Sequence, residues 1–147
     1  MIYVTDTHPL IFVGTQKFSR LGPKARRIFR EVDEGRSVIV IPVTVFEEIM
    51  RLTEKGLTML KMPFHRWVEE ITKAPNFQVQ PYTLEILLAA ESLSSIRDPA
   101  DRAIVATARD LGDDTLLATA INRLGSILEQ GQPAVLAYRR LGGHDER

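Results

Sequence analysis

Short apolar runs alternate with amphipathic segments along this chain of 147 residues. The run from Ile2 to Thr5 predicts a short strand. The unbroken β-branched run from Val38 to Ile41 is typical of a strand buried on both faces of a parallel sheet. Further strands are predicted at 77–80, 115–118 and 134–138. Because helical segments separate these strands, the pattern predicts one α/β domain with a mainly parallel sheet.

Six helices are predicted between the strands, at 7–13, 23–35, 44–56, 63–72, 82–93 and 98–112. Pro23 suits the first position of its helix, and Gly14, Gly35 and Gly56 suit helix ends. The helix that follows Pro23 repeats apolar residues at helical spacing, so one of its faces is expected to lie against a core. The members of that face are Ala25, Ile28, Phe29 and Val32.

The length suits a single domain, which buries roughly 68–70% of its unfolded surface. We expect this domain over residues 1–140 and a polar tail over 141–147. The absence of cysteine excludes disulfides, thiolate catalysis and cysteine-bound zinc. No apolar run approaches the ~20 residues that span a bilayer, and the chain starts directly with a strand. We therefore expect a cytoplasmic protein that has no membrane partner.

Net charge is zero, with 19 basic and 19 acidic side chains, and so gives no general indication of nucleic-acid binding. Its distribution is uneven, because six cations and no acid lie between residues 17 and 30. A solvated helix face is the simpler interpretation of this segment. The functional interpretation is a rim that attracts phosphate, formed by Lys24, Arg26, Arg27 and Arg30.

Acidic residues stand where strands give way to helices. Asp6 follows the first strand, Glu47 follows the second, and Asp98 and Asp101 open a later helix. Since ligands of parallel sheets bind at the carboxyl ends of the strands, these acids are expected at one edge. Carboxylates that crowd together repel, and a hard cation such as Mg²⁺ stabilises them. The pattern therefore predicts metal-dependent phosphoryl chemistry.

Each acid also has a structural interpretation. Asp6 and Asp98 suit helix N-caps, and Asp101 suits the third position of its helix. Thr44 and Glu47 fit a capping box, and each cap is worth about 1 kcal/mol. Glu48 lies about 100° further around the helix, so only one of the two glutamates should reach the other acids. Glu47, three residues after Thr44, is predicted to be that residue.

Three segments together resemble PIN-domain nucleases, and the VapC-like toxins of type II toxin–antitoxin pairs in particular. The segments are YVTDTHPL at 3–10, IPVTVFEEI at 41–49 and DPADRAIVATA at 98–108. The resemblance implies a three-layer α/β/α sandwich and an endoribonuclease that depends on Mg²⁺ or Mn²⁺. It also implies a homodimer and a small antitoxin partner. By position, Asp6, Glu47 and Asp101 match the catalytic metal ligands, and Asp98 matches an accessory acid.

The last segment departs from the pattern of this family. Thr119 stands where the family has threonine, but Ile121 occupies the position of the expected Asp or Asn. Asn122 could serve if the loop is one residue longer, although an amide is a weaker Mg²⁺ ligand than a carboxylate. In an enzyme of this kind, Thr119 and His8 are predicted to orient water or phosphate. The cations predicted to bind the RNA backbone are Lys24, Arg27 and Arg30.

Two other functions remain open at this point. One is a degenerate PIN domain that binds RNA or a protein partner without cleavage, which Ile121 and the zero net charge favour. The other is a phosphatase or phospho-receiver. It is disfavoured because His8 stands where such phosphatases have a second Asp, and because no acids precede Asp6 as receivers require.

Overall fold

A computed structural model describes residues 1–111 and 115–118 of the chain. Four parallel strands form one sheet in the order β3-β2-β1-β4. Their bounds are β1 Ile2–Thr5, β2 Val38–Pro42, β3 Phe77–Gln80 and β4 Thr115–Ala118. The predicted parallel α/β fold is therefore confirmed. The strand predicted at 134–138 and the tail at 141–147 lie outside the described residues.

The six predicted helices are all present, with ends that differ by a few residues from the predicted ones. Their bounds are α1 Thr7–Gly14, α2 Pro23–Asp33, α3 Val43–Glu54, α4 Phe64–Lys73, α5 Leu84–Glu91 and α6 Pro99–Asp110. An additional 3₁₀ turn, Phe18–Arg20, follows α1. In the described part of the chain no helix is long and apolar enough to cross a membrane.

Helix α2 covers one face of the sheet with the apolar stripe predicted from the sequence, which is buried throughout. Tyr3 pairs with Ile39, which pairs with Phe77, so these side chains share a face. The ring of Phe77 stacks on that of Phe29, with centroids 6.5 Å apart. The chain moves outward from β1 to β3 and then returns to β4. Since crossovers between parallel strands are right-handed as a rule, this order assigns α6 to the face opposite α2, as in an α/β/α sandwich.

Helix α3 begins earlier than the sequence suggested. Its N-cap is Pro42, which makes no side-chain cap hydrogen bond, so Val43 is the first helical residue. The predicted capping box of Thr44 and Glu47 is therefore wrong. The physical reason is that Pro42 ends strand β2 with its ring-restricted φ of −61° and leads directly into the helix. Within the described residues, the buried hydroxyl of Thr44 has no hydrogen-bond partner.

Helix α1 continues through Gly14, where the sequence predicted its end. The left-handed residue that terminates it is Gln16, with φ +58°. Gln16 N–H donates to the carbonyl of Val13, and Lys17 N–H donates to that of Phe12. These two bonds form a Schellman motif, which satisfies carbonyls at the helix end. Gly14 therefore has another role.

Candidate active site at the carboxyl edge of the sheet

Asp6 follows strand β1 directly and is the N-cap of α1, as predicted. Its Oδ1 accepts a hydrogen bond of 2.6 Å from the backbone N–H of Thr7. The side chain is almost fully buried, with 2% exposure. The first carboxylate of the site is therefore held at the carboxyl end of the strand, where ligands of parallel sheets bind.

Thr7 connects this carboxylate to helix α3. Its hydroxyl donates a hydrogen bond of 2.5 Å to Oε2 of Glu48. Since Thr7 is itself buried, with 1% exposure, this bond forms in a partly desolvated place. Thr7 therefore contacts two acids, Asp6 through its N–H and Glu48 through its hydroxyl.

Glu47 lies on a different side of α3. Its Oε1 accepts a hydrogen bond of 2.5 Å from Nη2 of Arg51, one turn later, and both side chains are at least half exposed. Because α3 begins at Val43, Glu47 is the fifth helical residue and not the third. The structure thus brings Glu48, and not Glu47, to the residue that follows Asp6.

The sequence held a signal for Glu48 that the capping-box interpretation obscured. Val45, Ile49 and Leu52 recur at helical spacing and form the inward face of α3, where Val45 and Ile49 are buried. Glu48 is three residues after Val45 and one before Ile49, so it interrupts this apolar face. A half-buried carboxylate within an apolar stripe requires a polar partner.

Asp98 and Asp101 occupy the positions at the start of α6 that were predicted for them. Asp98 is the N-cap, and its Oδ1 accepts from the N–H of Ala100 at 2.9 Å. Asp101 lies in the first turn and is buried, with 4% exposure. Because α6 runs back to the start of β4, its first turn lies at the carboxyl edge of the sheet. Helix α6 also contacts β1, which precedes Asp6, and α3, which carries Glu48.

The donor chemistry at this edge suits a hard divalent cation. Asp6 and Asp101 are buried carboxylates and Glu48 is half-buried, and carboxylate oxygen is the ligand that Mg²⁺ and Mn²⁺ prefer. However, within residues 1–111 and 115–118 no three His, Asp or Glu side chains converge as a metal-binding group. The predicted fourth corner, Thr119 with Ile121 and Asn122, lies outside the described residues.

The remaining predicted residues are more dispersed. His8 is exposed in the first turn of α1, and its ring centroid is 6.3 Å from that of Phe12. In α2, Lys24 lies in the first turn, at the carboxyl edge, and is half-buried. Arg30 is exposed six residues further, about 9 Å along the axis and away from that edge.

Arg27 is exposed as well, and its Nε lies 4.0 Å from Oε1 of Glu31. Oε2 of the same glutamate accepts hydrogen bonds from Tyr3 Oη at 3.4 Å and Ser37 Oγ at 3.1 Å. Burial, followed by the nearby Glu31 carboxylate, raises the pKa of Tyr3 above its ordinary value of 10.0. Arg27 therefore belongs to a structural network on the α2 face of the sheet.

The fold and this edge define the class of protein: an α/β domain with carboxylates at the first turns that follow its parallel strands. The sequence model of the PIN domain matches residues 3–120, and the chain belongs to that family. PIN domains are generally nucleases. Membership of the family therefore indicates a hydrolase that binds RNA. Comparison with curated proteins and with solved structures gives no match.

Proposed function

We propose that this PIN domain is a metal-dependent endoribonuclease that hydrolyses phosphodiester bonds of single-stranded or looped RNA. The observation that carries the proposal is the connection of Asp6 to Glu48 through Thr7, at the sheet edge where α6 also begins with the buried Asp101. Acidic side chains are mostly exposed and are almost never fully buried unless they are paired. The burial of two of them at the ligand-binding edge of the sheet supports a role in binding.

Asp6, Glu48 and Asp101 would hold Mg²⁺ or Mn²⁺, with Asp98 as an accessory acid. Glu48 takes the role first predicted for Glu47. When bound, the ion would supply activated water and offset charge on the phosphate. The positive ends of α1 and α6 favour the ionised carboxylates that binding requires.

Thr7 orients Glu48 in this proposal, and Asp98 holds the first turn of α6. Thr119 and Asn122 stay as the predicted fourth corner, and His8 as a predicted contact to phosphate. Of the predicted RNA-binding cations, Lys24 is the best placed because it lies at the carboxyl edge. Arg27 and Arg30 would act on a more distant part of the RNA, through long-range attraction.

The test is Mn²⁺-dependent cleavage of a fluorogenic single-stranded RNA by the purified Asp6→Asn variant. Asparagine preserves the N-cap, so the unfolding temperature should stay close to that of the wild type, while cleavage should fall by roughly a hundredfold or more. Glu47→Gln, purified in the same way, is the matched control and should cleave like the wild type. Undiminished cleavage by Asp6→Asn would reject the proposal.

A PIN domain that binds RNA or a protein without cleaving is the second candidate. Two observations favour it: the lack of a three-residue metal group in the described part of the chain and the Ile121 departure in the sequence. A wild-type protein that binds RNA in the presence of Mn²⁺ but leaves a pool of random sequences intact would establish this alternative.

We also propose a toxin role, a small antitoxin partner and a homodimer, all of which rest on the resemblance of the sequence to VapC-like proteins. Induced expression in a bacterial host should arrest growth, and the Asp6→Asn variant at equal abundance should not. Co-expression of a short neighbouring reading frame should relieve the arrest. Equal growth of cells that express wild type and variant would contradict the toxin role.

A further inference from the structure

A cleft of about 620 Å³ opens between helix α1 and the segment that follows α3. Its apolar wall includes Phe12 from α1, together with Leu57 and Met59 from the loop. Leu57 and Met59 are 71% and 85% exposed, respectively. Large apolar side chains left this open next to a cleft are typical of a surface that contacts a ligand.

The charged side chains that line the cleft are cations. They are Lys17 and Arg20, with the imidazole of His8 also in the lining, and no Asp or Glu lines the cleft in the part of the chain that the structure describes. Lys61 also lies nearby, since its Nζ donates to Oε1 of Gln16 at 3.4 Å. A lining that combines apolar side chains with cations is complementary to a ligand that carries both a flat apolar part and a negative charge.

The two sides of the cleft are fixed by backbone motifs. Lys17 N–H donates to the Phe12 carbonyl, which fixes the backbone of Lys17 at the end of α1. On the other side, Gly56, with φ +71°, ends α3, and Leu57 N–H donates to the Leu52 carbonyl. Because these bonds hold the walls in place, binding would require little ordering of the backbone.

We propose that this cleft is a nucleotide subsite for the RNA. An unstacked base would lie against Phe12, Leu57 and Met59, and the adjoining phosphate would contact Lys17 and Arg20. The subsite rests on the ribonuclease function proposed above. His8 lines the cleft and stands two positions after Asp6, so the cleft adjoins the acidic edge of the sheet. Single-stranded RNA is recognised by this combination of base contact with aromatic or apolar side chains and phosphate contact with cations.

A nucleotide explains the cleft better than an acidic peptide does. The lining combines two cations, Lys17 and Arg20, with a larger set of apolar side chains, and one phosphate and one base offer the matching chemistry. The cleft also starts in the first turn of α1, which follows Asp6, so a strand whose scissile bond lies at the acids passes its mouth.

Binding is best tested without metal, so that it does not depend on cleavage. In EDTA, uridine 5′-monophosphate is titrated into the isotope-labelled full chain, and the Met59 methyl and His8 ring resonances are followed. We expect both to shift. Uridine and ribose 5-phosphate, which each lack one half of the ligand, should bind more weakly, by roughly tenfold for the loss of the base.

The variant Lys17→Ala/Arg20→Ala alters only exposed side chains and should lower the affinity for uridine 5′-monophosphate by roughly tenfold or more. Lys73→Ala removes an exposed cation from the last turn of α4, away from the cleft, and should leave the affinity unchanged. Met59→Ala should raise the KM for RNA and leave kcat unaltered, as expected for lost uniform binding.

The results separate the subsite from the proposed function. One outcome would overturn the subsite alone. In it, the wild type cleaves RNA with Mn²⁺ and Asp6→Asn does not, but the Met59 and His8 resonances of the wild type do not shift when the nucleotide is added. Nucleotide binding at these resonances in a protein that does not cleave would support the subsite and reject the nuclease. An acidic amphipathic peptide that shifts both resonances when nucleotides do not would overturn the subsite in favour of a protein partner.

Discussion

The hydroxyl of Thr7 donates to the carboxylate of Glu48 across 41 positions of sequence, at 2.5 Å. Hydrogen bonds from a hydroxyl to a carboxylate are short and about twice as strong as neutral ones. This bond joins the first turn of α1 to α3 and fixes the Glu48 side chain beside the residue that Asp6 caps. In the proposed nuclease Glu48 holds the metal and Thr7 orients it, and the loss of such an orienting partner typically costs about 10–100-fold in metal affinity or activity.

Replacement of Thr7 by Val should reduce RNA cleavage by roughly 10–100-fold, because Glu48 loses the donor that orients it. Thr7→Ser keeps the hydroxyl and should recover most of the activity, which a purely steric role of the threonine would not predict. Titration with Mn²⁺ should show weaker binding by Thr7→Val and nearly normal binding by Thr7→Ser. Equal metal affinity in the two variants would contradict the orienting role.

Glu48→Gln and Glu47→Gln form a matched pair for the choice of ligand. We expect Glu48→Gln to lose Mn²⁺-dependent cleavage, whereas Glu47→Gln removes only an exposed pair with Arg51, worth about 0.3–0.5 kcal/mol. Initial cleavage rates at saturating Mn²⁺ separate them, with urea unfolding as a check on folding. The reverse order of activities would restore Glu47 as the ligand.

Substitutions of Asp98 and Asp101 should have different effects, the first on stability and the second on RNA cleavage. Asp98→Ala removes a cap bond of 2.9 Å and should cost about 1 kcal/mol of stability, while Asp98→Ser should keep most of it. Asp101→Asn should abolish cleavage with the fold intact. A strong loss of cleavage in Asp98→Ser would make Asp98 a direct ligand and not an accessory acid.

The strands could be predicted from the sequence because β-branched and apolar runs are local signals. The run at Val38 and the apolar stripe of α2 both appear in the structure where the pattern predicted them. Asp6 and Asp98 could likewise be recognised as caps, since an N-cap depends only on neighbouring residues. Local chemistry was therefore sufficient for most of the fold and for the sheet edge of the site.

The failures have a local and a long-range cause. Two start signals, Pro42 and Thr44, compete at the beginning of α3, and the N-cap lies two residues earlier than predicted. The choice between Glu47 and Glu48, which are neighbours in the helix, depends on a partner that is far away in sequence. The deciding contact, to Thr7, exists only in the folded chain. Gly14 suggested a helix end, whereas its actual constraint is the ring of Trp67. Tertiary packing overrides a local preference of this size.

The raised pKa of Tyr3 predicts a loss of stability in strong alkali. Above about pH 10 the unfolded chain releases the tyrosine proton, while the folded chain keeps it because burial and Glu31 disfavour the phenolate. The folded state then binds more protons, so its stability falls as pH rises from about 10 through the folded pKa. Urea unfolding between pH 8 and 11 should show this decline, and Tyr3→Phe should reduce it.

Gly14 allows helix α1 to approach Trp67 closely. A Cβ atom at this position would lie 2.5 Å from Cζ2 and 2.6 Å from Nε1 of the indole, which is buried between Phe46 and Phe64. Gly14→Ala should therefore destabilise the protein by about 1–2 kcal/mol, because overpacking outweighs the better helix propensity of alanine.

A double-mutant cycle distinguishes this clash from a backbone effect. Trp67→Leu removes the indole, so Gly14→Ala should cost less in that background, with a coupling of roughly 0.5–3 kcal/mol. Gly56→Ala is the matched control: its Cβ would meet nothing within 4 Å, and its cost would come from the φ of +71° alone. Gly56→Ala should therefore add to Trp67→Leu without coupling. The unfolding free energies are measured by urea titration. If the effects of Gly14→Ala and Trp67→Leu were simply additive, as expected for Gly56→Ala, the packing role of Gly14 would be contradicted.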